Sequence, residues 1–427
     1  MKRIISLIVL LAALTVPIAS ALATGAGFIP VAPDPVPGNT ISVENLAAAR
    51  EEAWNSYRER MLPDGMLRRE TEEEAITFGE ATMRYTLQVI GNKPENGYPL
   101  YIAMHGGGYG ETPDENDSQW EIMSGYYAEA LTCGVYVAVR GVRDTWDTHF
   151  NPESYPIYDR LIQYMILTQN VDPNRVYLEG FSAGGDGVWA IAPRMADRFA
   201  AANMSSGHPN GVQLYNLYRL PMQLQAGEYD EAYDRNLVTA EYGLKLDELR
   251  ELFGGFEHRT LIHYDCGHNY EDFDRVPVPV MADAGAWLTG QDRRYVMTDS
   301  FPPDYMDAFA RDPLPESVIW DLSTRADSRL TESFYYLSAP YTTNQGLIRA
   351  KYDRMTNRVV IETENVNGAF SILLNERMID FARPVTFVVD GTESALTLAP
   401  DRQVLEETTA ERGDPNFQFE TKVKFII

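Results

Sequence analysis

Ser182 lies in a short run of residues that is typical of a serine nucleophile. Residues 180–184 are Gly-Phe-Ser-Ala-Gly, between a predicted strand at 176–178 and a predicted helix at 184–196. A strand that turns sharply into a helix exposes the serine oxygen, and glycines flank the serine because the turn leaves no room for side chains. The same five-residue pattern occurs by chance in unrelated loops, so the prediction depends on the flanking strand and helix. With both present, we predict that Ser182 is the nucleophile.

A glycine-rich turn upstream of the serine is a candidate oxyanion hole. His105 is followed by three glycines at 106–108, directly after a predicted strand. The backbone N–H groups of Gly106 and Gly107, together with that of Ala183, are predicted to face a developing oxyanion. The alternative is a phosphate-binding loop, but neither the lysine of a P-loop nor the spacing of a dinucleotide fingerprint is present. His105 itself is predicted to be structural.

The general base must be one of six histidines. His268 follows the last strand of the predicted sheet, at the edge where parallel sheets place their ligands, and its position after the serine fits the order serine, acid, histidine. His258 and His263 fall at or within that last strand and are predicted to pack. Three residues in loops after other strands are predicted to frame the substrate: Trp146, His149 and His208. A core-capping role is the alternative for Trp146.

The acid of a catalytic triad should follow the strand that ends near residue 224. Asp230 is the preferred candidate because it is close to the strand end, where its position is best fixed. A triad carboxylate holds the imidazole in one tautomer and stabilises its cation. Asp234 and Glu228 remain alternatives.

Apolar strands alternate with amphipathic helices over most of the chain. This alternation predicts a mostly parallel α/β sheet covered by helices on both faces. The predicted strands lie at 85–90, 100–104, 135–139, 176–178, 200–204, 222–224 and 260–264. The predicted helices lie at 41–61, 119–131, 157–167, 184–196, 238–253 and 279–288. After a proline-rich stretch the pattern changes to short strands with turn signals, which predicts a small all-β domain.

These patterns divide the chain into five predicted segments. They are a signal peptide at 1–23, an N-terminal extension with one helix at 24–80, a catalytic domain at 81–290, a linker at 291–315 and a β-rich domain at 316–427.

The first residues have the pattern of a secretory signal. Lys2 and Arg3 precede an apolar run, and residues 21–23 (Ala-Leu-Ala) fit a signal-peptidase site. We therefore expect cleavage after Ala23, a periplasmic or secreted protein, and no membrane attachment after cleavage. An uncleaved anchor is the alternative, but the run is short for spanning a bilayer.

Charge and cysteine content limit the remaining functions. The formal net charge of −26 disfavours nucleic acid as a partner. Cys133 and Cys266 are predicted at opposite edges of a parallel sheet, about 15–20 Å apart. Bridged Cα atoms lie within about 7 Å of each other, so we expect no disulfide. No metal or other cofactor is expected.

The motifs resemble those of the esterase and polyhydroxybutyrate-depolymerase-like branch of the α/β-hydrolases, over about residues 80–290. They are also similar to the catalytic domains of prolyl-oligopeptidase-type peptidases. Residues 180–188 and 192–198 are similar to a group of exported bacterial esterases, as are the short runs at 319–321, 383–385 and 412–415 in the tail. The resemblance implies hydrolysis of an ester in general terms and leaves the substrate open.

Three functional hypotheses follow. The first is a carboxylic-ester hydrolase that acts on a small or polymer-borne ester through an acyl-enzyme on Ser182. The second is a serine peptidase with the same machinery, disfavoured because about 60 residues ahead of the sheet cannot build the propeller domain common in such peptidases. The third is a binding protein with a degraded site, disfavoured because all three triad residue types are present in order.

Overall fold

A mixed sheet with ten strands among the described residues forms the centre of the protein. The computed structural model describes residues 27–33, 36–107, 112–269, 279–281, 287–288, 296–297, 305–323 and 332–427. In chain order the strands of this sheet are β2 (Ala75–Phe78), β3 (Ala81–Ile90), β4 (Tyr98–Met104), β5 (Gly134–Val139), β6 (Val171–Phe181), β7 (Ala201–Ser205), β8 (Met222–Gly227), β9 (His258–His263), β10 (Pro279–Met281) and β11 (Val296–Met297). Their spatial order is β11-β10-β9-β8-β7-β6-β4-β5-β3-β2. In this spatial order the six strands β9, β8, β7, β6, β4 and β5 run parallel to one another, while the strands beyond them at both ends pair antiparallel.

Helices cover both faces of this sheet because successive strand residues point to opposite sides. Ile102 and Leu178 belong to one buried cluster, and Tyr101 and Tyr177 belong to another on the opposite face. The helices before β9 are α1 (Leu46–Met61), α2 (Gly65–Glu72), α3 (Pro113–Tyr126), α4 (Ser154–Thr168), α5 (Ala183–Ile191) and α6 (Arg235–Phe253). The central strands β4 and β5 are apolar and almost completely buried, as expected for a parallel sheet covered on both sides.

Two smaller sheets form a β-rich C-terminal region. One has the order β12-β15-β16-β18-β19 and the other β1-β20-β17-β14-β13. These strands are β1 (Ile29–Val31), β12 (Ser317–Asp321), β13 (Ser333–Phe334), β14 (Leu337–Ser338), β15 (Leu347–Asp353), β16 (Arg358–Glu364), β17 (Phe370–Leu374), β18 (Val385–Val389), β19 (Thr392–Leu396) and β20 (Thr421–Ile426). The region also contains helix α7 (Arg402–Arg412), so it is β-rich but not purely β.

Several elements differ from the sequence-based expectation. A helix was predicted at 279–288, but residues 279–281 form β10, which pairs antiparallel with β9. The N-terminal extension contains α2 and β2 in addition to the predicted helix. Within the predicted linker, Arg311 is buried and donates to Asn174 and Asp414. The signal-peptide prediction lies outside the described residues.

A buried charge cluster joins the central sheet to the C-terminal region. It consists of three carboxylates and three guanidinium groups: Asp159, Asp197, Asp414, Arg198, Arg311 and Arg412. Arg412 Nη2 lies 2.7 Å from Asp197 Oδ2, and Arg311 Nη2 lies 2.7 Å from Asp414 Oδ2. Because charges of this kind are buried only when they are paired, the cluster fixes how the two parts of the chain fit together.

The two cysteines are not joined to each other. The thiol of Cys133 donates to the carbonyl of Asn92, and the thiol of Cys266 donates to that of Tyr264, both at 3.2 Å.

Candidate active site

The carboxyl ends of β4, β6, β8 and β9 bring the candidate residues to one edge of the sheet. Met104 at the end of β4 pairs with Gly180 near the end of β6, so the turns that follow these two strands are adjacent. Gly227 at the end of β8 pairs with His263 at the end of β9 in the same way. Open α/β sheets bind their ligands at this edge.

The turn after β6 holds Ser182 in a strained conformation. Ser182 has φ 58° and ψ −117°, a region that residues with side chains seldom adopt. A Cβ at Gly180 would lie 2.3 Å from the carbonyl oxygen of Gly184, and a Cβ at Gly184 would lie 2.1 Å from that of Met104. Both glycines are therefore required, and the serine side chain projects from a strand-turn-helix elbow. The chain has the α/β-hydrolase fold.

Ser182, His268 and Asp230 form a continuous chain of hydrogen bonds. The Ser182 hydroxyl lies 2.9 Å from His268 Nε2, and His268 Nδ1 lies 3.0 Å from Asp230 Oδ2. Since a carboxylate only accepts, Nδ1 carries the proton and Nε2 accepts from the hydroxyl. The backbone of the histidine loop is also held, because the hydroxyl of Ser206 donates to the His268 carbonyl at 3.1 Å.

Asp230 is buried beside the guanidinium of Arg235. Its side chain is completely shielded from solvent, and Oδ1 accepts no hydrogen bond within the described part of the chain. Arg235 Nη1 lies 3.9 Å from this oxygen. Two consecutive residues in the left-handed region, Tyr233 and Asp234, turn the chain so that Arg235 at the start of α6 faces back towards Asp230.

The alternative acids have other partners or no contact with the base. His268 Nδ1 bonds to Asp230 rather than to Asp234. Glu228 instead accepts from the backbone N–H of Asp265 and from the indole of Trp287.

The glycine turn after β4 lies against the serine turn. A Cβ at Gly106 would be 3.4 Å from the Cβ of Ser182, and Gly107 has φ +109°. Gly107 and Ala183 both line the adjoining cavity. Gly108 lies outside the described residues.

An open cavity of about 270 Å³ adjoins the serine. Its lining combines exposed aromatic rings with polar groups: Gly107, Trp146, Ala183, Asp186, His208, Asn210, Tyr233 and Arg235. Asp186 accepts from the backbone N–H of His208 at 2.7 Å, and burial raises the pKa of its carboxyl. Within the described residues, a cavity of this volume has room for a small group.

Two of the three predicted substrate-framing residues line this cavity. Trp146 is 54% exposed and packs edge-on against Phe150 rather than capping the core. His208 lines the cavity from a loop whose backbone N–H, that of His208 itself, donates to Asp186. His149 does not line the cavity, because its ring is completely buried beneath the glycine turn.

Four cavity residues were missed by sequence reasoning: Asp186, Asn210, Tyr233 and Arg235. For Asp186 a signal existed, since it lies one helical turn after Ser182 on α5 and therefore near the same edge. The positions of Asn210, Tyr233 and Arg235 depend on left-handed backbone conformations at residues that are not glycine.

Comparisons with known proteins give one related sequence and several similar structures. No protein-family model matches the chain. The chain is 30% identical over 207 residues to "Putative esterase NocK" of Nocardia uniformis subsp. tsuyamanensis, which covers 46% of this chain and 55% of that protein. The chain thus matches only about half the length of this relative.

Among solved structures, similar chains include a poly(3-hydroxybutyrate) depolymerase, LpqC, from Bordetella parapertussis and a thermostable esterase. The first is 16% identical with a TM-score of 0.40, covering 56% of this chain and 97% of that one. The second is 20% identical with a TM-score of 0.39, covering 56% and 62%. Both scores are low, so the fold assignment rests on the strand order and the serine elbow of this chain.

The described ranges hold neither a candidate metal site nor a candidate membrane-spanning helix. In these ranges there is no cluster of three or more His, Cys, Asp or Glu side chains that could hold a metal ion. No helix there is both long and apolar enough to cross a bilayer.

Proposed function

We propose that this protein is a serine hydrolase that cleaves carboxylic esters through an acyl-enzyme on Ser182. The observation behind the proposal is the hydrogen-bond chain from the Ser182 hydroxyl through His268 to the buried carboxylate of Asp230. This geometry matches a nucleophile, a general base and an orienting acid.

The reaction follows from these contacts. His268 Nε2 takes the hydroxyl proton as Ser182 Oγ bonds to the ester carbonyl carbon, and the carbonyl oxygen becomes an oxyanion facing the N–H groups of Gly106, Gly107 and Ala183. The C–O bond to the alcohol then breaks, and the alcohol leaves with the proton from His268. Water attacks the acyl-enzyme in the same manner, which releases the carboxylic acid and restores the serine.

An ester is favoured as substrate by the sequence relative, which is named as an esterase. The cavity beside Ser182 is open and small, which suits a short acyl or alcohol group at the reacting centre. The rest of the substrate, whether a small molecule or a polymer, would then extend into solvent.

A panel of p-nitrophenyl esters and peptide p-nitroanilides tests the proposal. We expect turnover of short-chain esters, labelling of Ser182 by a fluorophosphonate, and loss of both in Ser182→Ala. Preference for the anilides would favour a peptidase, and activity surviving in Ser182→Ala would exclude Ser182 as the nucleophile. An inert wild type with no labelling would favour a binding protein.

We also propose that the protein is exported, with cleavage after Ala23, on the basis of the N-terminal pattern alone. Amino-terminal sequencing of the protein recovered from the periplasm or medium of a bacterial host tests this. Recovery of a full-length chain from the cytoplasm would contradict it.

A further inference from the structure

Two buried histidines hold the carbonyl groups of the glycine turn. Nε2 of His149 lies 2.9 Å from the carbonyl oxygen of His105. Because a carbonyl can only accept, His149 Nε2 carries the proton and donates it. The hydroxyl of Tyr158 lies 3.4 Å from His149 Nδ1, which is then the acceptor in this ring.

The second carbonyl of the turn is held by His105 itself. The backbone N–H of Gly141 donates to His105 Nε2 at 3.1 Å, so this nitrogen is unprotonated. His105 Nδ1 therefore carries the proton and donates to the carbonyl of Gly106. Each ring is thus fixed in one neutral tautomer.

Burial keeps both rings neutral, as this pattern requires. It lowers the pKa of His105 to about 4 and lowers the pKa of His149 well below its usual range. The two rings are in edge contact, with centroids 4.5 Å apart, so two positive charges would also repel each other.

Holding a carbonyl also fixes the N–H group of the same peptide unit. A trans peptide is planar, with its C=O and N–H pointing in opposite directions, and no cis bond occurs in the described chain. The His105 carbonyl shares its plane with the N–H of Gly106, and the Gly106 carbonyl shares its plane with the N–H of Gly107. Both N–H groups are therefore turned away from the buried histidines.

We propose that His149 is a positioning residue of the oxyanion hole, acting through the carbonyl of His105. The inference rests on the proposed function, since an oxyanion forms only if Ser182 attacks a carbonyl. His149 does not touch the substrate. Its role is to keep the glycine turn, which could otherwise rotate its peptide planes, in the orientation that stabilises the oxyanion.

The position of His149 supports this role. A Cβ at Gly187 of α5 would lie 3.0 Å from the Cβ of His149, and His149 Nε2 donates to the His105 carbonyl, so His149 lies between the serine helix and the glycine turn. It therefore contacts the supports of all the proposed donors, α5 for Ala183 and the turn for Gly106 and Gly107.

The test compares two replacements of His149. His149→Phe keeps a ring but removes the donor, whereas His149→Gln keeps an amide N–H. Deleting an oxyanion donor costs about 10²–10³ in kcat, and a misoriented donor should cost less. For p-nitrophenyl acetate we expect His149→Phe to lower kcat by roughly 10- to 100-fold with KM nearly unchanged, and His149→Gln to recover part of the loss.

A trifluoromethyl ketone provides a readout that general structural damage would not reproduce. The ketone forms a hemiketal oxyanion on the serine, so its affinity should fall by the same factor as kcat/KM. The control is His258→Phe, a histidine at the far end of β9, which should leave both quantities unchanged. Wild-type ketone affinity in a folded His149→Phe protein would overturn the inference.

If His149→Phe does not fold, His149→Gln and Tyr158→Phe decide the question. A parallel, smaller loss of kcat/KM and ketone affinity in these variants supports the positioning role, and wild-type values in both overturn it. A wild type that neither turns over esters nor binds the ketone refutes the proposed function, and the inference with it. An active wild type with unaffected variants refutes the positioning role alone.

Discussion

Replacing Asp414 by asparagine removes one charge from the buried charge cluster. Asp414 Oδ2 lies 2.7 Å from Arg311 Nη2 and 4.0 Å from Arg198 Nη1, and all three side chains are almost completely buried. The cluster has three negative and three positive groups, so the variant leaves one guanidinium uncompensated. A buried charge without a partner is strongly unfavourable.

The size of the effect follows from these distances. With an effective dielectric constant of about 20, the two attractions amount to about 6 and about 4 kcal/mol before desolvation is considered. Asparagine keeps an oxygen that accepts from the backbone N–H of Asn416, as Asp414 does now. The net loss should therefore be about 3–5 kcal/mol, the range found when one partner of a buried pair is removed.

Thermal unfolding measures this loss. An unfolding entropy of about 2.1 cal/mol/K per residue gives about 0.9 kcal/mol/K for 427 residues, so Tm should fall by about 3–6 °C. Glu393→Gln is the matched control, because it also removes one charge from an ion pair, but an exposed one with Arg358. Its Tm should change by no more than about 1 °C. If Asp414→Asn has the same Tm as Glu393→Gln, the cluster does not join the two parts of the chain as we argue.

Three further predictions concern the site and its surroundings. Arg235→Met removes the cation 3.9 Å from Asp230 Oδ1 and should lower kcat about tenfold, with Arg235→Lys less affected; equal kcat values for the two variants and wild type would contradict this. Gly107→Ala forces a side chain into φ +109° and should lower kcat at least about tenfold, because the oxyanion turn must change shape; steady-state kinetics with a wild-type kcat would refute it. Burial lowers the pKa of His105 to about 4 and that of His263 to about 3, so both bind protons more readily when unfolded. Stability should therefore fall as pH decreases from about 6.5 through 4, by on the order of 3 kcal/mol per histidine; constant urea midpoints over this range would refute it.

The location of the site could be predicted from the sequence because parallel strands end at one edge. Because 180–184 has the pattern of a strand-turn-helix, the loops after the other parallel strands are expected to converge on Ser182. The two flanking glycines strengthen this prediction of the turn, and in the structure neither Gly180 nor Gly184 has space for a Cβ.

Other features could not be predicted because they depend on the folded backbone. Arg235 faces Asp230 because Tyr233 and Asp234 adopt left-handed conformations, and a tyrosine gives no local signal for such a conformation. His149 follows a strand of the sheet, as pocket residues do, but its loop folds inwards beneath the glycine turn. The run at 279–281 is rich in proline and valine, which favour a strand near the edge of a sheet over the predicted helix, and it forms β10 beside the edge strand β11.

Helix α7 is a different case, because the sequence carries local signals for it. Asp401 caps its first turn through the N–H groups of Gln403 and Val404, and Gly413 ends it in the left-handed conformation. An aspartate and a glycine at this spacing predict a helix even among short strands.

The pairing of β1 with β20 has a consequence for the order of folding. Ile29 lies opposite Ile426, so two segments separated by almost the whole chain are neighbours in one sheet. A contact of this sequence separation forms late, because most of the chain must first be brought together. That sheet can close only after residues 421–426 have been synthesised, long after the strands bearing Ser182 and His268 are available.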